Sequence, residues 1–335
     1  MNATYRKLAL CVSVSLLAAS VAACSDNQPE AKTSPSASAS PGTAASVKPS
    51  ASPSAAPSFT VDESKATELI AQFGQQAPAK VVSASVAIAE ILNTLGVKPV
   101  GVPTSTIALA DELQGVQKIG SALKPDVEQV TKLQPDVVLG PTSIKDSLEK
   151  QFKPANLKTA YIPTDSLEEL KLSMVVLSRV FKQEQKAADF FAKLDKQEQE
   201  ALSVAKGKTA PKVMFLFGSA ESFMLMNENT FPGSLAKKLG ASNIVSDVLK
   251  SKETYVALNI ENVVAANPDV ILLVAHGDPD AAIKKFEEDV KKNGAWEKLN
   301  AFKNGKVKAL DYNTFGVASL VKAPNAYKEL AEKLF

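Results

Sequence analysis

The chain repeats itself once, and that repeat limits its fold more than any other feature. Glu128–Gly140 reads EQVTKLQPDVVLG and Glu261–Leu273 reads ENVVAANPDVILL. Aligned without gaps, the two share Glu, Val, Pro, Asp, Val and Leu at matching places. In each, a short helical segment runs into a proline that stops it, and a run rich in Val, Ile and Leu follows as a buried strand. Pro125 and Asp126 open the first helix, and Asn259 is a suitable N-cap for the second. One such helix-then-strand unit in each half predicts an α/β fold of two Rossmann-like lobes with mainly parallel sheets.

Other segments extend the pattern. Lys80–Ser83 and Pro99–Val102 read as strands of the first lobe, with a helix over Val86–Leu95 between them and Thr159–Ile162 as its last strand. The second lobe starts with a strand at Lys212–Phe217, continues through a helix near Gly233–Leu239 and includes a strand at Val307–Leu310. Between the lobes, Ser166–Lys206 lacks Pro and Gly and is dense in Leu, Ala, Lys, Glu and Gln. That composition favours one or two long helices forming a stiff connection. The expected organisation is a lobe over residues 59–165, a connecting helical segment over 166–208 and a lobe over 209–335, with the ligand cleft between the lobes.

The start of the chain has a different character. Arg6 and Lys7 precede an apolar stretch from Leu8 to Val21, and small residues lead to Cys24 in V-A-A-C. Residues 1–23 read as an export signal; an ordinary signal peptide that happens to contain Cys24 is one reading. The other follows from the resemblance of V-A-A-C to the lipobox of bacterial lipoproteins, which implies cleavage before Cys24 and acylation of its thiol, a durable anchor when several acyl chains are attached. Residues 25–58 are nearly all Ser, Ala, Pro, Thr, Lys and other small or polar types. Such a segment has too few large apolar side chains to offset its ordering entropy, and it is expected to be a disordered tether. No later stretch reaches about 18 uninterrupted apolar residues, the length a membrane span needs.

Composition then removes whole classes of function. The 335 residues include one histidine and two cysteines, of which Cys11 leaves with the signal. Structural zinc sites, iron–sulfur centres and disulfide frameworks need more ligands than this. Lys and Arg total 38 against 36 Asp and Glu, so no polyanion-binding surface and no nucleic-acid partner are implied. Neither G-x-S-x-G nor H-E-x-x-H occurs, and an enzyme is not expected.

The residues able to carry function are few. His276 follows the strand Val270–Val274 in V-A-H-G, at the carboxyl end where open α/β sheets bind ligands; it is either a surface-loop histidine or a metal or haem-iron ligand. Glu128 and Glu261 sit in the first turns of the two repeat helices. The helix dipole is a sufficient reason for a carboxylate there, and docking against arginines of a membrane partner is the other. Ser83, Ser85 and Val86 lead into a helix, and Thr104 and Ser105 follow a strand; these hydroxyls either cap helices or meet an anion such as a propionate. Phe217, Tyr312 and Phe315 lie at or beyond strand ends, as core residues or as apolar pocket walls. Met224 and Met226 are apolar filler or iron ligands.

From about Lys80 onward the chain resembles the class III substrate-binding proteins of ABC importers. The resemblance rests on ILNTLGVKPVGVPTS, KIGSALKPDVEQVTKLQPDVVL, the helical connection, LGASNIV, ENVVAANPDVILL and AWEKLNAFKNGKVKALD. GVPTS (Gly101–Ser105), TSIKD (Thr142–Asp146) and AHGDP (Ala275–Pro279) are most similar to the IsdE-like haem receptor lipoproteins. The family serves iron–siderophores, haem and cobalamin. The resemblance implies two lobes joined by a long rigid helix, and a monomeric receptor anchored by lipid to the bacterial cell membrane, facing the extracellular side or the periplasm. It also implies no catalytic cofactor, haem as the transported ligand, and an ABC transporter permease as partner. A ferric siderophore or corrinoid is the alternative cargo. His276 occupies the place of the haem-iron ligand, and Glu128 and Glu261 match the permease-docking glutamates. The family's second iron ligand is a methionine in G-x-x-M-x-P. Here that stretch reads GSALKP and Leu123, which cannot ligate iron, stands in its place, leaving Met224 or Met226 as substitutes.

Overall fold

Short apolar runs separated by helices build two sheets. The computed structural model describes residues 59–335 apart from 220–221, 276–278 and 295. The export signal, Cys24, the tether and His276 lie outside the described residues. The first sheet contains β1 (Val81–Ser83), β2 (Gly101–Val102), β3 (Gln117–Lys118), β4 (Val137–Pro141) and β5 (Thr159–Ile162). They lie in the order β3-β2-β1-β4-β5, and every pairing is parallel. All of β1 and all but the last residue of β4 are buried, which is why they read as continuous apolar runs without alternation.

The second sheet contains β6 (Lys212–Gly218), β7 (Phe223–Met226), β8 (Ser242–Asn243), β9 (Tyr255–Ala257), β10 (Val270–Ala275) and β11 (Val307–Ala309). Its order is β11-β10-β6-β7-β9, with β8 beside the start of β6. This sheet is mainly parallel, as expected, with an antiparallel part on one side. β8, β10 and β11 join it in parallel, but β7 runs antiparallel to β6, and β9 antiparallel to β7. The reversal begins at Gly218, whose φ is 153° and where any side chain would collide with the backbone oxygen of Ser222.

The repeat has a shared local architecture. Asp126 and Asn259 cap its helices by accepting from the N–H groups of Gln129 (3.1 Å) and Asn262 (3.0 Å). Both helices end on a left-handed residue, Gln134 or Asn267, immediately before the proline. The Asp after each proline then fastens its strand to the neighbouring one. Asp136 Oδ2 accepts from the N–H groups of Ala79 (2.7 Å) and Lys80 (2.8 Å), and Asp269 Oδ2 accepts from that of Lys212 (2.9 Å).

The connection comprises two helices, Leu167–Val180 and Glu184–Ala205, broken by a turn with Lys182 at φ 55°. The first packs on the helices Glu63–Ala71 and Val86–Thr94, the second on the C-terminal helix Ala323–Leu334. One continuous core therefore runs from Val81 and Val137 through Leu177 and Leu194 to Phe215, Leu272 and Tyr327. The opposite face of each sheet has its own layer, Val82 and Val138 against Leu148 and Phe152, and Met214 and Ile271 against Val263 and Phe286. Among the described residues no helix is long and apolar enough to cross a membrane.

Candidate functional site

The carboxyl ends of β1, β4, β5, β6 and β11 face one crevice between the two sheets. Its inner part, half open to solvent, has a volume of about 170 Å³ and continues past Ser143, Asp165 and Tyr255 into a larger opening beside Ile144, Glu253 and Thr254. The first lobe contributes Ser85 and Ala87 after β1, Pro141 and Ser143 at the end of β4, and Thr164 and Asp165 after β5. The second contributes Phe217, Met226, Phe231, Tyr255 and the stretch Phe315–Ala318. A crevice outside the carboxyl ends of the strands is where an α/β sheet leaves backbone and loops free to meet a ligand.

The second-lobe wall is apolar because of the antiparallel hairpin. Phe217 lies opposite Met224, and Phe215 opposite Met226, which in turn pairs with Tyr255. These residues occupy one face of the sheet, and the Phe217 and Tyr255 rings approach to 5.7 Å between centroids. Phe231 and Phe315, 6.2 Å apart, line the adjoining wall.

The first-lobe wall is polar and acidic. Ser143 Oγ donates to Asp165 Oδ1 at 2.9 Å. Asp165 is held in place from behind. Ser166 caps the helix Leu167–Val180 by accepting from the N–H of Glu169, whose own carboxylate accepts from the N–H of Asp165 at 2.8 Å. This is a capping-box arrangement displaced by one residue. Burial raises the Asp165 carboxyl above its ordinary value, opposed by the Ser143 hydrogen bond. Burial also raises Glu169 and Tyr255, the latter further through the negative charge of Asp165 across the cleft.

The residues expected from sequence divide. Ser85, Phe217, Met226 and Phe315 line the cleft. Ser85 is also the N-cap of Val86–Thr94, accepting from the N–H of Ile88 at 3.4 Å. Ser83 does not reach the cleft: its side chain is fully buried, and its hydroxyl donates to the carbonyl of Ser85 at 2.7 Å. Val86 is buried in a cluster with Val102 and Leu113. Thr104 is exposed and Ser105 Oγ accepts from the N–H of Ile107; neither lines the cavity. Tyr312 packs on the core beneath Gly316 and does not line it either.

Met224 shares the Phe217 face but is 41% exposed and does not line the inner cavity. Leu123 is 67% exposed on the loop before the helix Val127–Leu133, away from the cavity lining. Glu128 and Glu261 are both exposed in the first turns of their helices. β10, the strand that leads to His276, ends at Ala275 beside Gly218.

Asp165, Ser143 and Tyr255 were not singled out from sequence. The capping signature Ser166-Leu-Glu-Glu169 directly after a strand marks the loop that carries Asp165. The register of the repeat places Ser143 just beyond the end of β4.

Comparison with known proteins agrees with this architecture. Residues 81–314 match the family described as "Periplasmic binding protein". The high-affinity heme uptake system protein IsdE of Staphylococcus aureus (strain Newman) is 32% identical over 257 residues, covering 76% of this chain and 87% of that protein. Among solved structures, S. aureus IsdE complexed with heme superposes with a TM-score of 0.70 at 31% identity, over 76% of this chain and 98% of that one. An ABC transporter substrate-binding protein from Listeria monocytogenes EGD-e gives a TM-score of 0.70 at 32% identity, over 78% of this chain and 99% of that one. With two lobes, a cleft at their strand ends and a match across most of its length, the chain belongs to the periplasmic binding protein family and is a substrate-binding receptor of an ABC importer, not an enzyme.

Proposed function

We propose that this receptor captures haem between its lobes and passes it to a membrane permease. The observation that carries the reading is the cleft wall: Phe217, Met226, Phe231, Tyr255 and Phe315 line it with apolar and aromatic side chains, chemistry suited to a flat macrocycle. The similarity to IsdE supports it independently. In this reading His276, following β10, ligates the iron through a neutral imidazole. Exposed Leu123 contributes no ligand. The lobes are residues 59–165 and 209–335, with 166–208 connecting them. Cys24 carries the lipid anchor that holds the protein outside the cell membrane, and Glu128 and Glu261 dock one on each half of the permease. The receptor works as a monomer.

A ferric siderophore or corrinoid is the second reading, favoured by the absence of a methionine at position 123. The deciding experiment adds hemin to the purified protein and to His276→Ala. The haem reading expects a Soret shift in the wild type that weakens in the variant. No spectral change, together with saturable binding of a ferric siderophore or corrinoid, transfers the assignment to the second reading.

A further inference from the structure

Among the described residues that line the cleft and its wider opening there is no Lys, Arg or His, while Asp165 and Glu253 bring carboxylates. Asp165 stands between the inner and the larger outer part and borders both. Its fixed position comes from the Ser143 hydroxyl in front and from Glu169 behind, which adds a second carboxylate. Lys145 and Lys150 line an adjoining depression that shares Ser143 and Ile144 with the wider opening, and there Lys145 meets Glu149 (3.7 Å) and the Tyr161 ring.

We propose that Asp165 is a charge filter of the cargo cleft, excluding iron chelates that carry negative charge around the metal and admitting those whose leading edge is neutral and apolar. The proposal rests on the cleft being the cargo site, and it deepens the haem reading by fixing how the cargo enters.

The physical argument is one of repulsion. A carboxylate in a partly buried wall is weakly screened, so a like charge brought against it is penalised more than at the open surface. Specificity of this kind is achieved by penalising the wrong ligand as well as by favouring the right one. A tris-catecholate complex is negative on every side and meets Asp165 in any orientation. Haem carries its carboxylates on one edge only. It satisfies the wall by inserting the apolar edge against Phe217, Phe231 and Phe315, leaving its propionates at the mouth, where Lys145 and Lys150 line the outer depression. Asp165 is therefore a specificity-determining residue that acts on ligands it rejects.

The test compares Asp165→Asn and Asp165→Glu with the wild type, using equilibrium dialysis against three probes: hemin, hemin dimethyl ester and a ferric tris-catecholate. In the Asn variant Ser143 still has an amide oxygen to donate to, so the loop keeps its geometry. The wild type is expected to bind hemin and its ester and to bind the tris-catecholate poorly. Asp165→Asn should raise tris-catecholate affinity by at least about tenfold, or about 1.4 kcal/mol, and leave hemin within about threefold. Asp165→Glu should keep the exclusion.

Equal tris-catecholate affinity in the wild type and Asp165→Asn overturns the filter, even where hemin binds. Wild-type protein that takes the tris-catecholate as tightly as the ester overturns it as well. If hemin binds none of the proteins but the Asn variant gains the tris-catecholate, the filter stands and haem falls as the cargo.

Discussion

Replacing Glu198 with Gln should be among the most costly conservative changes in the protein. Glu198 is in the long connecting helix, with its side chain 7% exposed. Its Oε2 accepts from Lys171 Nζ at 2.7 Å, and its Oε1 accepts from Lys238 Nζ at 2.6 Å and from the Tyr327 hydroxyl at 3.0 Å. The three donors come from three other helices, so one carboxylate ties the connector to both its helical partner and the second lobe. Lys171 is almost wholly buried, whereas Lys238 is 30% exposed and keeps Glu168 at 3.4 Å. The amide would leave Lys171 as an uncompensated buried charge while Lys238 finds water and Glu168. Breaking a buried pair by neutralising one partner costs about 3–5 kcal/mol, and the relief available to Lys238 sets the estimate near the lower end, about 3 kcal/mol. For a body of this size that lowers Tm by about 6–12 °C. Urea unfolding followed by circular dichroism measures it. Adding Lys171→Met to Glu198→Gln should recover most of the loss, because the orphaned charge is then gone. A loss below about 1 kcal/mol in the single variant, or a double variant no more stable than the single one, would refute the claim that Lys171 depends on this carboxylate.

Three further outcomes follow from the same structure. Burial tends to raise Glu198, but its hydrogen bonds from Lys171 and Lys238 hold the carboxyl below its ordinary 4.5. Its contribution is thus present above pH 4.5 and disappears as pH falls through the lowered value, a loss that the Gln variant should not show in acid titration of stability. Glu90 has the opposite sign: burial raises its carboxyl above 4.5 despite the 2.6 Å hydrogen bond from Ser319, so the folded state holds its proton more tightly than the unfolded chain. Stability should fall as pH rises from 4.5 through that raised value, and Glu90→Gln should flatten this part of the profile and raise the neutral-pH denaturation midpoint. Phe217→Ala should weaken cargo binding by about tenfold with little change in Tm, while Tyr312→Ala should lower stability by about 1–2 kcal/mol and leave affinity intact. Equal effects of the two on affinity would contradict the placement of Tyr312 against the core and off the cavity lining.

How far such residues could be read from sequence depended on whether their geometry is local. The repeat was legible because each part of it acts within a few residues. Asp126 and Asn259 cap, Gln134 and Asn267 turn left-handed before a proline, and the buried strand follows. The strands Thr159–Ile162 and Lys212–Phe217 were legible for a similar reason, as apolar runs with clear ends. The β6–β7 hairpin was not. Phe223–Met226 is an apolar run whose direction is set by the reversal at Gly218 and by pairing with β6, and neither leaves a periodicity in the sequence. Position within the site failed in the same way. Ser83 and Ser85 are both serines beyond a strand, yet one hydroxyl turns into the core and the other borders the cleft. Tyr312 and Phe315 share a single helical turn, yet the first packs under Gly316 and only the second reaches the cavity. Which side of a loop meets solvent is decided by the helices packed behind it, not by the loop's own residues.

The placement of the core also says how such a receptor opens. Among the described residues near the cavity, direct hydrogen bonds join the second lobe to the connector, Leu167 N–H to Ser234 Oγ at 3.0 Å, and to the first lobe, Ser319 Oγ to Glu90 Oε2. Ties of this kind contribute about 1 kcal/mol each, somewhat more to a charged group, so they resist separation weakly. Beneath them the resistance changes in kind. Leu177, Leu194, Phe215 and Tyr327 belong to one apolar core running through both connecting helices, and the Lys171–Glu198–Lys238 network is set within it. Pulling the halves apart there would expose large apolar area and unpair a buried charge together. The less costly motion is a pivot over this core that parts Phe315–Ala318 and Phe217 from Ser143 and Asp165, giving up also the packing of Val317 on the cluster of Val86, Val102 and Leu113, while the connector stays packed. Cargo release then needs only the mouth to widen, and a partner that strains the two lobes apart at their outer helices acts on the weak ties first.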